Sequence, residues 1–117
     1  ITCNGQVNAL NEAGETPLHF ASQYGHTANI LLLCKYGADL NVADKKYGYT
    51  PLHYACKGGF VACVEALLQH EANVCAASLE KHTPLHRAAW AGRTEVVQVL
   101  IKHNANINYR TVPSKAK

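Results

Sequence analysis

The sequence contains no apolar stretch approaching the roughly 18 residues that a membrane-crossing helix needs. Its first residues, Ile1-Thr2-Cys3-Asn4-Gly5, lack the basic and apolar regions of a secretory leader, so direct membrane insertion is not expected. The five cysteines, Cys3, Cys34, Cys56, Cys63 and Cys75, are odd in number and form no Cys-x-x-Cys pair, which argues against a disulfide framework and a zinc ribbon. They point to an intracellular chain, cytoplasmic or nuclear, with reduced thiols. Catalytic signatures are also missing: there is no Gly-x-Ser-x-Gly elbow, no P-loop and no His-Glu-x-x-His. The eight acidic residues are scattered, and no pair is placed by spacing on one helical face. No enzymatic activity, metal or cofactor is expected, and a net charge of +3 demands neither nucleic acid nor an anionic membrane.

What is present is repetition. The 117 residues, 48% hydrophobic and 16% charged, have an ordinary globular balance. Within them the tetrapeptide Thr-Pro-Leu-His starts at residues 16, 50 and 83, spacings of 34 and 33 residues that mark a stacked array. Thr before Pro begins a helix: the hydroxyl caps, and proline occupies the first turn, where its missing N–H costs nothing. Glycines then interrupt at Gly25, Gly59 and Gly92. The pattern predicts helix pairs over residues 17–24 and 27–36, 51–58 and 61–70, and 84–91 and 94–103.

Between pairs lie hairpin arms. The second, Asp44-Lys45-Lys46-Tyr47-Gly48-Tyr49, carries one extra residue, which explains the longer spacing. In the third arm Lys81 replaces glycine, and Glu71 stands at the position of Gly37. A positive φ at either would put strain on its β-carbon. The expected organisation is the end of a preceding unit over residues 1–10, units over 11–43, 44–77 and 78–110, and a disordered or truncated tail over 111–117. Asn4-Gly5-Gln6-Val7-Asn8 can be overlaid on Gly37-Ala38-Asp39-Leu40-Asn41, which suggests a segment cut from a longer array. Val96, Val97, Leu100 and Ile101 of the last helix are expected to lack a following unit that covers them all.

His19, His53 and His86 invite a metal reading, but equivalent places in stacked units are about 8–10 Å apart, and zinc ligands each lie ~2 Å from the ion. They are expected to bond to Thr and to neighbouring backbone. Cys56 matches Ser22 and Ala89 in register, and Cys63 matches Asn29 and Val96, so both are expected to act as small buried hydrophobes.

Three in-register copies of Thr-Pro-Leu-His-x-Ala, with Gly25-His26, Gly37-Ala38-Asp39-Leu40-Asn41 and Leu67-Leu68, give residues 4–110 a specific resemblance to the ankyrin repeat family. The resemblance implies an all-α solenoid, each unit two antiparallel helices plus a β-hairpin. It also implies protein binding through hairpin tips and the concave face of the first helices. Leu33, Asp39, Leu40 and Asn41 fit the spacing of the family's asparagine hydroxylation motif, with Asn41 as acceptor, although an amide that ties down the hairpin is the favoured reading of Asn41.

Residues that differ between copies on that face carry the functional expectation. Six of the nine aromatics, Phe20, Tyr24, Tyr47, Tyr49, Tyr54 and Trp90, fall there. Phe20 and Tyr24 also fit packing between units, whereas Tyr47, Tyr49 and Trp90 are expected to be exposed. Aromatics and arginine dominate protein–protein binding energy. The expected groove therefore centres on Tyr49, Tyr54, Arg87 and Trp90, joined by Tyr24, Tyr47 and His82. Lys45, Lys46 and Lys57 give it a basic side suited to an acidic or apolar segment of another protein. Two other readings remain open: nucleic acid on the Lys45–Tyr49 surface, and a structural spacer in a larger enzyme, channel or ubiquitin-ligase subunit.

Overall fold

The computed structural model describes residues 7–103. The overlay on Asn4-Gly5-Gln6, the end of the third unit at residues 104–110 and the tail over 111–117 lie outside them. Six helices follow in order: α1 (Pro17–Tyr24), α2 (Thr27–Lys35), α3 (Pro51–Gly58), α4 (Val61–Gln69), α5 (Pro84–Trp90) and α6 (Thr94–Lys102). Each agrees with the sequence-predicted segment to within a residue at its end.

The recurrent tetrapeptide starts α1, α3 and α5. Thr16, Thr50 and Thr83 are extended at the N-cap, with ψ of 167°, 169° and 169°, and proline follows in the first turn. The histidine two residues after proline turns back. Thr16 N–H donates to His19 Nδ1 at 3.0 Å, Thr50 N–H to His53 Nδ1 at 3.1 Å, and Thr83 N–H to His86 Nδ1 at 3.0 Å. An amide can only donate, so Nδ1 is unprotonated and the ring proton sits on Nε2. That proton crosses to the next unit: His19 Nε2 donates to the Tyr49 carbonyl at 2.9 Å and His53 Nε2 to the His82 carbonyl at 2.8 Å. The expected role of these histidines is met. Each caps its helix, and His19 and His53 also tie theirs to the following arm.

The first helices pack side by side, α1 on α3 and α3 on α5, and the second helices do likewise. Between them lies one continuous core containing Leu18, Ile30, Leu52, Val64, Leu67, Val96 and Leu100. A fully buried side chain of this size contributes about 1.5–3 kcal/mol, and here the units share that gain because none closes a core alone. Cys56 and Cys63 are fully buried in it, as expected. Cys34, Cys56 and Cys63 are free thiols.

One expectation is revised, one is met in part and one is confirmed. The arms are hydrogen-bonded turns, with no strand among the described residues; Asn11 N–H to Glu15 O (3.1 Å), Asp44 N–H to Tyr49 O (2.9 Å) and Ser78 N–H to His82 O (2.9 Å) close them. Val96 and Leu100 are fully buried, because α6 packs against both α4 and α5, which leaves Ile101 exposed and Val97 half-buried. The two anomalous arm positions are confirmed: Glu71 has φ 69° and Lys81 φ 70°. Gly48 shows why this turn wants glycine, since a β-carbon there would lie 2.7 Å from the Leu79 amide of the next arm.

Candidate functional site

The second arm is organised by a residue that sequence reasoning did not single out. Asp44 is buried, and its Oδ1 accepts the Tyr47 and Tyr49 amides at 3.0 Å each, while Oδ2 accepts the Tyr54 hydroxyl in a short hydrogen bond. Burial would raise this carboxyl, but the Tyr54 hydroxyl and the two amides outweigh it and lower its pKa. Tyr54 is pushed up, first by burial and then by its bond to the Asp44 carboxylate. The signal was positional. Asn11, five residues before Thr16, accepts the Ala13 and Glu15 amides at 2.9 Å each, and Ser78, five before Thr83, accepts the His82 amide at 3.1 Å. A short polar side chain opens every arm, and the extra residue in the second displaces Asp44 by one from this register.

This anchoring corrects the expected groove. Tyr49 and Tyr54 are buried, at 8% and 6% exposure, and do not form an open floor. Tyr54 is drawn inward by Asp44, and its ring stands edge-on to Tyr49 at 5.3 Å. Tyr49 is sandwiched, 5.1 Å from the His53 ring at 9° and 4.9 Å from Tyr47 at 30°. Its outer side is taken by the Arg87 guanidinium, 5.6 Å from the ring centroid.

What remains open is an outer layer over that buried one. Tyr47 and Trp90 are 43% and 60% exposed. Lys46 lies over Tyr47 at 5.1 Å. Arg87 is half-buried and also lies over Trp90 at 5.6 Å. His82 stands edge-on to Trp90 at 4.5 Å and lies 5.4 Å from His86. The structure thus brings together Tyr47, Lys46, Arg87, Trp90 and His82, supported from beneath by Tyr49.

Three expected members lie elsewhere. Lys45 is exposed, but its amide donates to Ala13 O at 2.8 Å and its stem runs against Gly14 of the preceding arm. Lys57 is exposed at the end of α3, where its carbonyl accepts Arg93 Nε at 3.1 Å. Tyr24, 61% exposed, joins Phe20 in an apolar cleft of about 580 Å³ on the first unit, also lined by Leu10, His26, Leu32 and Leu33. By register these positions are where the second unit receives the first: Phe60, at the place of His26, packs against Gly25.

Asn41 is exposed, and its Oδ1 accepts the Asn73 amide at 2.8 Å while its own amide bonds Asp39 Oδ1 at 2.9 Å. Asn8 repeats this one unit earlier, accepting the Asp39 amide at 2.7 Å. The side chain therefore has a structural role in linking arms. Among the described residues no group of three His, Cys, Asp or Glu is placed to hold a metal.

The helix pairs and their cap chemistry are those that the recurrent motif implied, and the histidine bonds between units add to them. A family model for ankyrin repeats (three copies) matches residues 42–111, and a second, for ankyrin repeats (many copies), matches residues 1–47. The chain belongs to the ankyrin repeat family. No curated protein matches it. Ankyrin repeats are in general protein–protein interaction modules and typically non-catalytic. No helix among the described residues is long and apolar enough to cross a membrane.

Proposed function

We propose that this chain is a non-catalytic binding segment of an intracellular scaffold or adaptor. It captures an acidic, partly apolar stretch of another protein on the layer formed by Tyr47, Lys46, Arg87, Trp90 and His82. One observation carries the reading: Trp90 stays exposed beside a guanidinium whose charge meets no carboxylate among the described residues, and Tyr47 stays exposed against the Tyr49 ring that the same guanidinium reaches. Rigid amphipathic rings around a guanidinium are the composition of binding hot spots, and the nearby lysines add attraction for an acidic partner that speeds encounter more than it adds affinity. Lys45 and Lys57 lie outside this layer and contribute only long-range attraction for the partner; Tyr24 belongs to a different surface. A role for Asn41 as a hydroxylation acceptor is kept as a separate proposal, and it requires release of the Asn73 amide first.

The test begins with a binder recovered from cell extract on the wild-type chain and its dissociation constant. Trp90→Ala and Tyr47→Ala should each weaken binding by about tenfold or more, and Lys45→Ala with Lys46→Ala should slow association. Unchanged binding in all three, with circular dichroism intact, overturns the assignment.

A further inference from the structure

We infer that Arg87 is the recognition residue of this face and that it takes a single carboxylate, an Asp or Glu side chain of the partner, presented between the Tyr49 and Trp90 rings. The inference rests on the proposed binding role and makes its chemistry specific.

The guanidinium is held but not neutralised. Its carbon lies 5.6 Å from the centroids of both rings, and aromatic contacts leave the charge and the N–H donors unspent. Among the described residues the Arg87 guanidinium makes no hydrogen bond or ion pair, and its Nε is buried without a partner. Glu80, on the arm of the same unit, pairs instead with His82 at 3.7 Å. The other units give contrast. At the register of Arg87 stand Phe20, which is exposed and apolar, and Tyr54, whose hydroxyl is satisfied by Asp44. Only here does the first-helix position present an uncompensated charge in this setting.

The surroundings select the ligand. Contact with the Tyr49 and Trp90 rings restrains a side chain that binds carboxylates in a planar, bidentate way. The groups beside Arg87 are His53, His82 and His86 with the two rings, and no second fixed cation converges on it. Lys46 lies over Tyr47, not over the Tyr49 or Trp90 rings that hold Arg87, and the Lys45 stem runs along Gly14. A monoanionic carboxylate matches one guanidinium. A nucleic-acid backbone relies on several phosphates neutralised together.

The experiment titrates nitrogen-15-labelled full chain with phenylacetate, phenylacetamide, phenyl phosphate and an eight-residue oligothymidylate, following the Arg87 Nε–H and Trp90 indole signals. The inference predicts saturable shifts of both with phenylacetate, at least ~10-fold weaker binding of the neutral amide, and loss of the carboxylate response in Arg87→Lys, which keeps the charge but not the fork. Arg87→Gln, with the indole signal as fold control, should lose it too. Equal binding of the amide, or an unchanged response in Arg87→Lys, overturns the carboxylate assignment. So does tighter binding of phenyl phosphate, or of the oligonucleotide with a steep salt dependence. The two levels fail separately. Loss of the partner in Trp90→Ala without a phenylacetate response keeps the binding face and removes the carboxylate site. A phenylacetate response with partner affinity unmoved by Trp90→Ala does the reverse.

Discussion

His53 Nε2 donates to the His82 carbonyl at 2.8 Å, joining the first helix of one unit to the arm of the next. The bond needs a neutral ring, because Nδ1 is already occupied as an acceptor by Thr50. Burial holds the His53 pKa down, with the positive charge of Arg87 adding to it, at about 4. An unfolded histidine titrates near 6.5. The unfolded chain therefore binds the proton first, and the stabilisation is complete above about pH 6.5 and is lost as pH falls toward 4, at up to about 1.4 kcal/mol per pH unit. Urea unfolding between pH 7.5 and 4 should show this slope. His53→Gln, which keeps a side chain suited to the third helical position, should be less stable at neutral pH and less steep. An equal slope in that variant contradicts the assignment.

Asp44 accepts three donors, so its loss should exceed that of its counterpart Asn11. Asp44→Ala strands the Tyr54 hydroxyl and two amides, and each buried unsatisfied group costs about 1–3 kcal/mol. Asn11→Ala, in an exposed arm, should cost about 1 kcal/mol. Thermal unfolding of the two variants decides it, and equal losses would count against the anchoring role of Asp44.

Glu71 and Lys81 adopt the left-handed conformation with φ of 69° and 70°. Replacing either by glycine relieves β-carbon strain of about 1–2 kcal/mol and costs part of that in unfolded-chain entropy. Glu71→Gly and Lys81→Gly should each stabilise by roughly 0.5–1 kcal/mol, while Lys81→Ala should not. Destabilisation by both glycine variants in chemical denaturation would show that the side chains hold more than the backbone loses.

The fold was legible because each recurring signal has a local physical cause. Thr-Pro starts a helix by capping, glycine ends it, and the spacing of 33 to 34 residues repeats the pair. Even the misfit positions Glu71 and Lys81 showed in the register. The site was only half legible. Tyr47, Arg87, Trp90 and His82 do converge, because the register places them on neighbouring first helices and arms. Tyr49 and Tyr54 were expected outside and lie inside, since an aromatic ring beside a helix start serves equally as packing or as surface. What decides it is the partner: Asp44 captures the Tyr54 hydroxyl from ten residues away, and His53 offers Tyr49 a parallel ring. Neither pairing has a local sequence signature.

The account turns on where a partner sits, and two exposed aromatics separate the choices. Trp90 belongs to the Arg87 layer, and Tyr24 lines the apolar cleft of the first unit. The most direct measurement is the dissociation constant of a recovered partner for Trp90→Ala and for Tyr24→Ala, each verified as folded. The account predicts a loss of about tenfold or more in Trp90→Ala and less than about twofold in Tyr24→Ala. The opposite order, or equal losses, would contradict it.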